Sequence, residues 1–281
     1  MGMPGASIHR QVPASIRVVL RFTFPFYPSY EVRYFGMQKL TRPGMEKHWR
    51  SFTNAFRSEY RDWIAAFWDI VPAVSEVLNL LEGKRRLAEN CSYLLLSKSL
   101  NHALATFSLA ERGLCIDAAL ASRNAIETLL LLQALMLDSS EDLFRRWSQG
   151  EEFKPGWVRN ELKAKSPSEV RDVIVTIDQE THDLNRMLYG WLSNITHANL
   201  DSLNQTVRKT GEQSYEVFVG GSLDGMGPLM NAVFASVCYG LHQTAVMCMA
   251  VFDPTRLEKT KHQWSTLGNR INEAARPHTT T

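Results

Sequence analysis

At 281 residues the chain is long enough to bury a sizeable core, in one large domain or two small ones. Its composition, 44% hydrophobic and 21% charged, excludes a disordered or low-complexity protein. The net charge of +2 is unevenly spread: residues 1–44 hold six basic residues against one acidic one, leaving the remainder at −3, which argues against a broad nucleic-acid groove on the body.

Residues 1–44 differ in character from the rest of the chain. They are rich in Arg, Pro and Gly, and their β-leaning run SIRVVLRFTFPFYPSYEVRYF is bounded by arginines rather than forming the apolar stretch of a secretory signal. We expect a poorly ordered N-terminal extension that is not translated in vivo if Met37 or Met45 is the true start. Residues 45–281 are expected to form a single helical-bundle domain.

From Met45 the aromatic residues Trp49, Phe52, Phe56, Tyr60, Trp63 and Phe67 recur at spacings of three and four, which predicts an amphipathic helix with an aromatic stripe. Pro72 is expected to end it, with a short helix continuing to about Leu81 and Gly83 as its stop. Lys84 to Arg112 predicts a third helix, in which His102 reads as a core or boundary histidine. Leu114 to Leu137 predicts a fourth, apolar almost all round and therefore central. Arg123 and Glu127 stand out on it, because charged side chains are seldom buried unless paired, and their i, i+4 spacing lets them pair.

Ser139 is the expected N-cap of a short helix through Trp147, followed by a loop from Gly150 to Gly156 and a further short helix, WVRNELKAK. Ser166-Pro167-Ser168-Glu169 reads as a helix start, leading into Arg186–Leu200. Residues 203–220 change period and predict a small β-hairpin inserted between helices. The glycines immediately after it do not match a phosphate loop.

Residues 225–252 contain no Asp, Glu, Lys or Arg, long enough to cross a bilayer. Their polar Asn231, His242, Gln243 and Thr244, and the lack of a second comparable segment, predict a buried bundle helix and no membrane span. Asp253-Pro254 ends it, and a basic amphipathic helix closes the chain. The fold class is thus all-α, a helical bundle with the small β-hairpin. Cys91, Cys115, Cys238 and Cys248 form no CxxC pair and lie in apolar helical stretches, which predicts buried free thiols and a cytoplasmic location. Nothing has the spacing of a zinc site, and no metal or cofactor is expected.

The candidate site lies in Arg186–Leu200, RMLYGWLSNITHANL. Ser193 and His197 are four apart and share one helix face. If this helix neighbours Leu114–Leu137, Arg123 and Glu127 would face Ser193 and His197. Histidine titrates near neutrality, arginine can neutralise charge developing on a phosphate, and glutamate can orient either. A nucleophilic role for Ser193 is disfavoured, since such serines sit on sharp exposed turns. A metal hydrolase using Glu127, His182 and His197 is disfavoured too.

Tyr189-Gly190-Trp191-Leu192-Ser193 and then His197, together with Arg123-Asn124-Ala125-Ile126-Glu127, resemble the pattern of an uncharacterised group of bacterial all-α proteins. That group looks distantly similar to the HEPN superfamily, helical bundles that include metal-independent ribonucleases and toxin–antitoxin or phage-defence components. The resemblance covers roughly residues 84–252. It implies a homodimer with facing motifs, His197 at the catalytic histidine position and Ser193 at the polar position. It departs from the family where the motif arginine belongs, because Leu192 stands there.

The residues admit two readings. In the first, the chain is a non-catalytic HEPN-like module that binds a protein partner or a nucleotide, and Arg123, Glu127, Ser193 and His197 form a buried polar network fixing helix register. In the alternative, it is a metal-independent HEPN-like RNase or defence effector acting on RNA, in which His197 handles the proton and Arg123 stabilises the charge. The missing arginine and the acidic body favour the first. Shared charge stabilisation of one phosphate needs Arg123 and His197 within about 6–8 Å of each other, within a chain or across a dimer.

Overall fold

The computed structural model describes residues 17–18, 42–138, 140–165, 207–209, 215–218 and 227–276. Among them are eight helices: α1 (Arg42–Glu59), α2 (Arg61–Leu81), α3 (Leu87–Glu111), α4 (Cys115–Met136), α5 (Asp142–Ser148), α6 (Pro155–Lys165), α7 (Gly227–Phe252) and α8 (Pro254–Ala275). The body is an all-α bundle. Three short strands, β1 (Arg17–Val18), β2 (Val207–Lys209) and β3 (Tyr215–Phe218), pair antiparallel in the order β1-β3-β2, with Val217 opposite both Val18 and Val207. They are too short to form a layer beside the helices. The remainder of residues 1–41, including most of the expected extension, lies outside the described residues, and α1 begins just ahead of Met45.

The helices that are apolar all round take the centre. α4 buries Ala118, Ala119, Ala125, Leu129, Leu132 and Leu135, and α7 buries Met230, Phe234, Val237, Cys238 and Leu241. The two pack closely: a Cβ built on Gly240 of α7 would lie 2.9 Å from Leu129 Cδ1 of α4. At the same crossing Gln133 Nε2 donates to Thr244 Oγ1 at 2.8 Å, with both residues buried. α3 runs beside α4 and is joined to it at Gly113, whose φ of +80° ends the helix; Leu114 N–H donates back to Leu109 O at 3.0 Å.

α2 and α8 cover α7. α8 starts at Asp253, whose Oδ1 accepts from Arg256 N at 2.9 Å, so the residue expected only to stop α7 also caps the next helix. Arg256–Glu76 (3.4 Å) and Arg270–Asp69 tie α8 to α2. His242 of α7 reaches Trp264 O of α8 at 2.9 Å. That carbonyl can only accept, so the ring donates from Nε2.

The aromatic stripe is core, as its spacing predicts. Phe56 and Tyr60 lie 4.9 Å apart, Phe67 stacks on Phe107 at 4.0 Å, and Phe107 stacks on Phe234 at 4.5 Å. The interruption, however, falls at Tyr60 rather than Pro72. Pro72 sits inside an unbroken α2. It occupies the exposed face, where the carbonyl left without a donor can bond to water, so the helix carries the proline without breaking.

This continuity overturns the expectation of a single long apolar segment. Among the described residues two helices are long and apolar enough to cross a membrane: Arg61–Leu81, with mean hydropathy 1.5 over its best window, and Leu229–Phe252, with 1.3. Within the fold 72% of the second window is buried and 39% of the first, so the second is spoken for by the core far more fully than the first. At the start of α5 the capping acceptor is Asp138, whose Oδ2 accepts from Leu143 N at 2.8 Å, with Ser140 Oγ accepting from Asp142 N at 3.3 Å. The expected cap, Ser139, lies outside the described residues.

Candidate functional site

Arg123 and Glu127 lie one helical turn apart on α4. Arg123 Nε donates to Glu127 Oε1 at 3.0 Å, and the side chains are 20% and 28% exposed. An i, i+4 pair in this setting contributes about 0.5 kcal/mol, so the pair matters for orientation more than for stability. Ser193, His197 and His182 lie outside the described residues. Of the four residues singled out for the site, Arg123 and Glu127 are brought together here.

Glu127 also lines a pocket of about 270 Å³ that the sequence pattern does not single out. Its apolar part comes from Leu95 of α3, Leu130 and Leu131 of α4, and Pro155 and Val158 of α6. Thr128 is present with its hydroxyl already donated to Asn124 O at 2.8 Å. Trp147 and Phe153 add aromatic edges, and the Phe153 ring is engaged by Trp157, 4.6 Å away, and by the Arg146 guanidinium, 5.4 Å from its centroid. α6 seats on α4 through Val158 and Leu162 against Ala134, which holds the wall in place.

The charged lining is balanced: Lys98 and Arg159 against Glu127 and Glu152. Glu127 is committed to Arg123, and Arg159 has an interaction of its own. Lys98 and Glu152 are exposed and make no ion pair or hydrogen bond among the described residues. The available signal for this site was the cluster Phe153-Lys154-Pro155-Gly156-Trp157, where two aromatics flank a turn, but a loop reading alone does not show what the aromatics cover.

Elsewhere the chemistry is muted. His102, one turn from Lys98 on α3, is half-buried; burial, then the Lys98 charge, holds its pKa below the ordinary value. Burial lowers the His242 pKa more strongly than its bond to the Trp264 carbonyl raises it. The four cysteines are free and buried. Burial lifts Cys115 and Cys248 to about 12 and also raises Cys91 and Cys238, so none is a ready thiolate. Among the described residues no group of three or more His, Cys, Asp or Glu could hold a metal ion.

Comparison with family models, curated proteins and solved structures finds no match to this chain. The HEPN-like resemblance therefore stands on the residues of its motif alone.

Proposed function

We propose that the chain is a non-catalytic, HEPN-like helical module that binds a protein partner or a nucleotide. Arg123, Glu127, Ser193 and His197 serve in this reading as a polar network that fixes helix register. The observation that carries it is the Arg123–Glu127 pair: the guanidinium already donates from Nε to a carboxylate at 3.0 Å, so the positive charge a phosphate would meet is largely neutralised by its neighbour. The charge-balanced lining of the pocket, Lys98 and Arg159 against Glu127 and Glu152, gives a polyanion no net attraction and favours a protein partner. The module is proposed to work as a cytoplasmic homodimer, and residues 203–220 are read as a small hairpin inserted between its helices.

One observation favours the alternative, a metal-independent RNase using His197 and Arg123. The Arg123 side chain is 20% exposed, so a substrate phosphate can reach it from solvent. RNA cleavage by the full chain in EDTA, on total and transfer RNA, separates the two. No cleavage by folded wild-type protein is the expected result. Cleavage that vanishes in His197→Ala and in Arg123→Ala overturns the binding-module reading.

A further inference from the structure

We infer that the pocket between α3, α4 and α6 is a binding site for a free α-amino acid with an aliphatic side chain. Its volume, about 270 Å³, is just below the range of about 300–1,000 Å³ that holds drug-sized ligands, and so suits a small metabolite. Its floor, built from Leu95, Leu130, Leu131, Pro155 and Val158, is aliphatic. Of the two lining aromatics, Phe153 is engaged by Trp157 and Arg146, which leaves the edge of Trp147 as the aromatic surface for a planar ring.

Charge selects within the remaining chemistry. The four charged lining residues sum to zero, which disfavours a multiply charged anion such as a nucleoside polyphosphate. Glu127 is held by Arg123, and Arg159 has an interaction of its own although its buried Nη1 makes no hydrogen bond, so Lys98 and Glu152 are the lining charges with no ion pair or hydrogen bond among the described residues. They come from different elements, Lys98 from α3 and Glu152 from the α5–α6 connection, and both border the aliphatic floor. One cation, one anion and an aliphatic floor complement a carboxylate, an ammonium and an apolar side chain carried by one small molecule. A peptide terminus offers one of those charges, and a free amino acid offers both. The site stands whether or not the chain cleaves RNA.

The test is calorimetric titration of the full chain with L-leucine, with 3-methylbutylamine, which lacks the carboxylate, and with 4-methylpentanoate, which lacks the ammonium. Saturable leucine binding is expected, with each truncated analogue at least about tenfold weaker, since a hydrogen bond to a charged group contributes about 1.5–3 kcal/mol. Lys98→Met should erase the preference for leucine over the amine while keeping its preference over the acid. Glu152→Gln should do the reverse. Both side chains are exposed, so neither substitution threatens the fold, and the crossed pattern is one that general destabilisation cannot produce. No saturable binding by wild-type protein, or leucine binding indifferent to both substitutions, overturns the inference.

Discussion

The hydrogen bond between Gln133 and Thr244 is the sharpest place to test how the two central helices recognise each other. Gln133 is 2% exposed and Thr244 fully buried, and their 2.8 Å bond joins α4 to α7. Thr244→Val keeps the shape and removes the acceptor, leaving a buried amide N–H without a partner. Gln133→Met keeps the length and removes the donor. Each should cost about 1–3 kcal/mol, the desolvation penalty of the polar group left behind. The double variant replaces both partners by apolar atoms of similar shape, so it should lose less than either single variant, with a coupling of at least about 1 kcal/mol. Urea denaturation followed by far-UV circular dichroism measures all four corners of the cycle, and unchanged m values license the comparison. Additive losses would refute the reasoning, because they would mean that the two groups find other partners or water.

The packing leads to three further outcomes. Gly240→Ala gains up to about 1 kcal/mol of helix propensity but places a Cβ 2.9 Å from Leu129 Cδ1, an overpacking that costs about 1–3 kcal/mol; net destabilisation is expected in denaturant titration, and net stabilisation would show that the helices are not in tight contact. Pro72→Ala on the exposed face of α2 should stabilise by at least about 1 kcal/mol, because it restores an intrahelical bond and forfeits no buried surface; an unchanged midpoint would count against an unbroken α2. His242 has its folded-state pKa held below the ordinary 6.5 by burial, so the unfolded chain binds the proton first. Its contribution is intact above about pH 6.5 and is lost as the pH falls through that value, until the folded group itself titrates. His242→Gln should flatten this acid-side slope of stability, and an unchanged slope would mean that the ring is not sealed between α7 and α8.

What was legible in the sequence depended on how local its cause was. α4 and α7 declare themselves as central because their apolar residues wrap right round, a property of each segment alone. The stop at Gly113 is local too, since a left-handed backbone position calls for glycine. Pro72 was misread because a helix interior tolerates proline when the orphaned carbonyl faces water, and exposure is a tertiary fact. The break at Tyr60 had no local signal: no Gly or Pro lies there, and the aromatic spacing runs straight through it. Arg123 and Glu127 were legible as a pair from their spacing. That Glu127 also borders a pocket was not, because the pocket depends on Lys98 and Glu152, which lie on other elements and become neighbours only once α6 docks on α4.

The sealed thiols make this chain a gauge of its own opening. Cys91 lies in the second turn of α3 and Cys115 opens α4, while Cys238 and Cys248 lie within α7, each no more than 3% exposed. An alkylating reagent can reach them only when the surrounding helices part, so the order in which the four become labelled reports which helix separates first. A chain that frays from its periphery inward would surrender Cys91 and Cys115 well before Cys238 and Cys248. One that opens all at once would mark all four at a single rate, without any probe having been installed.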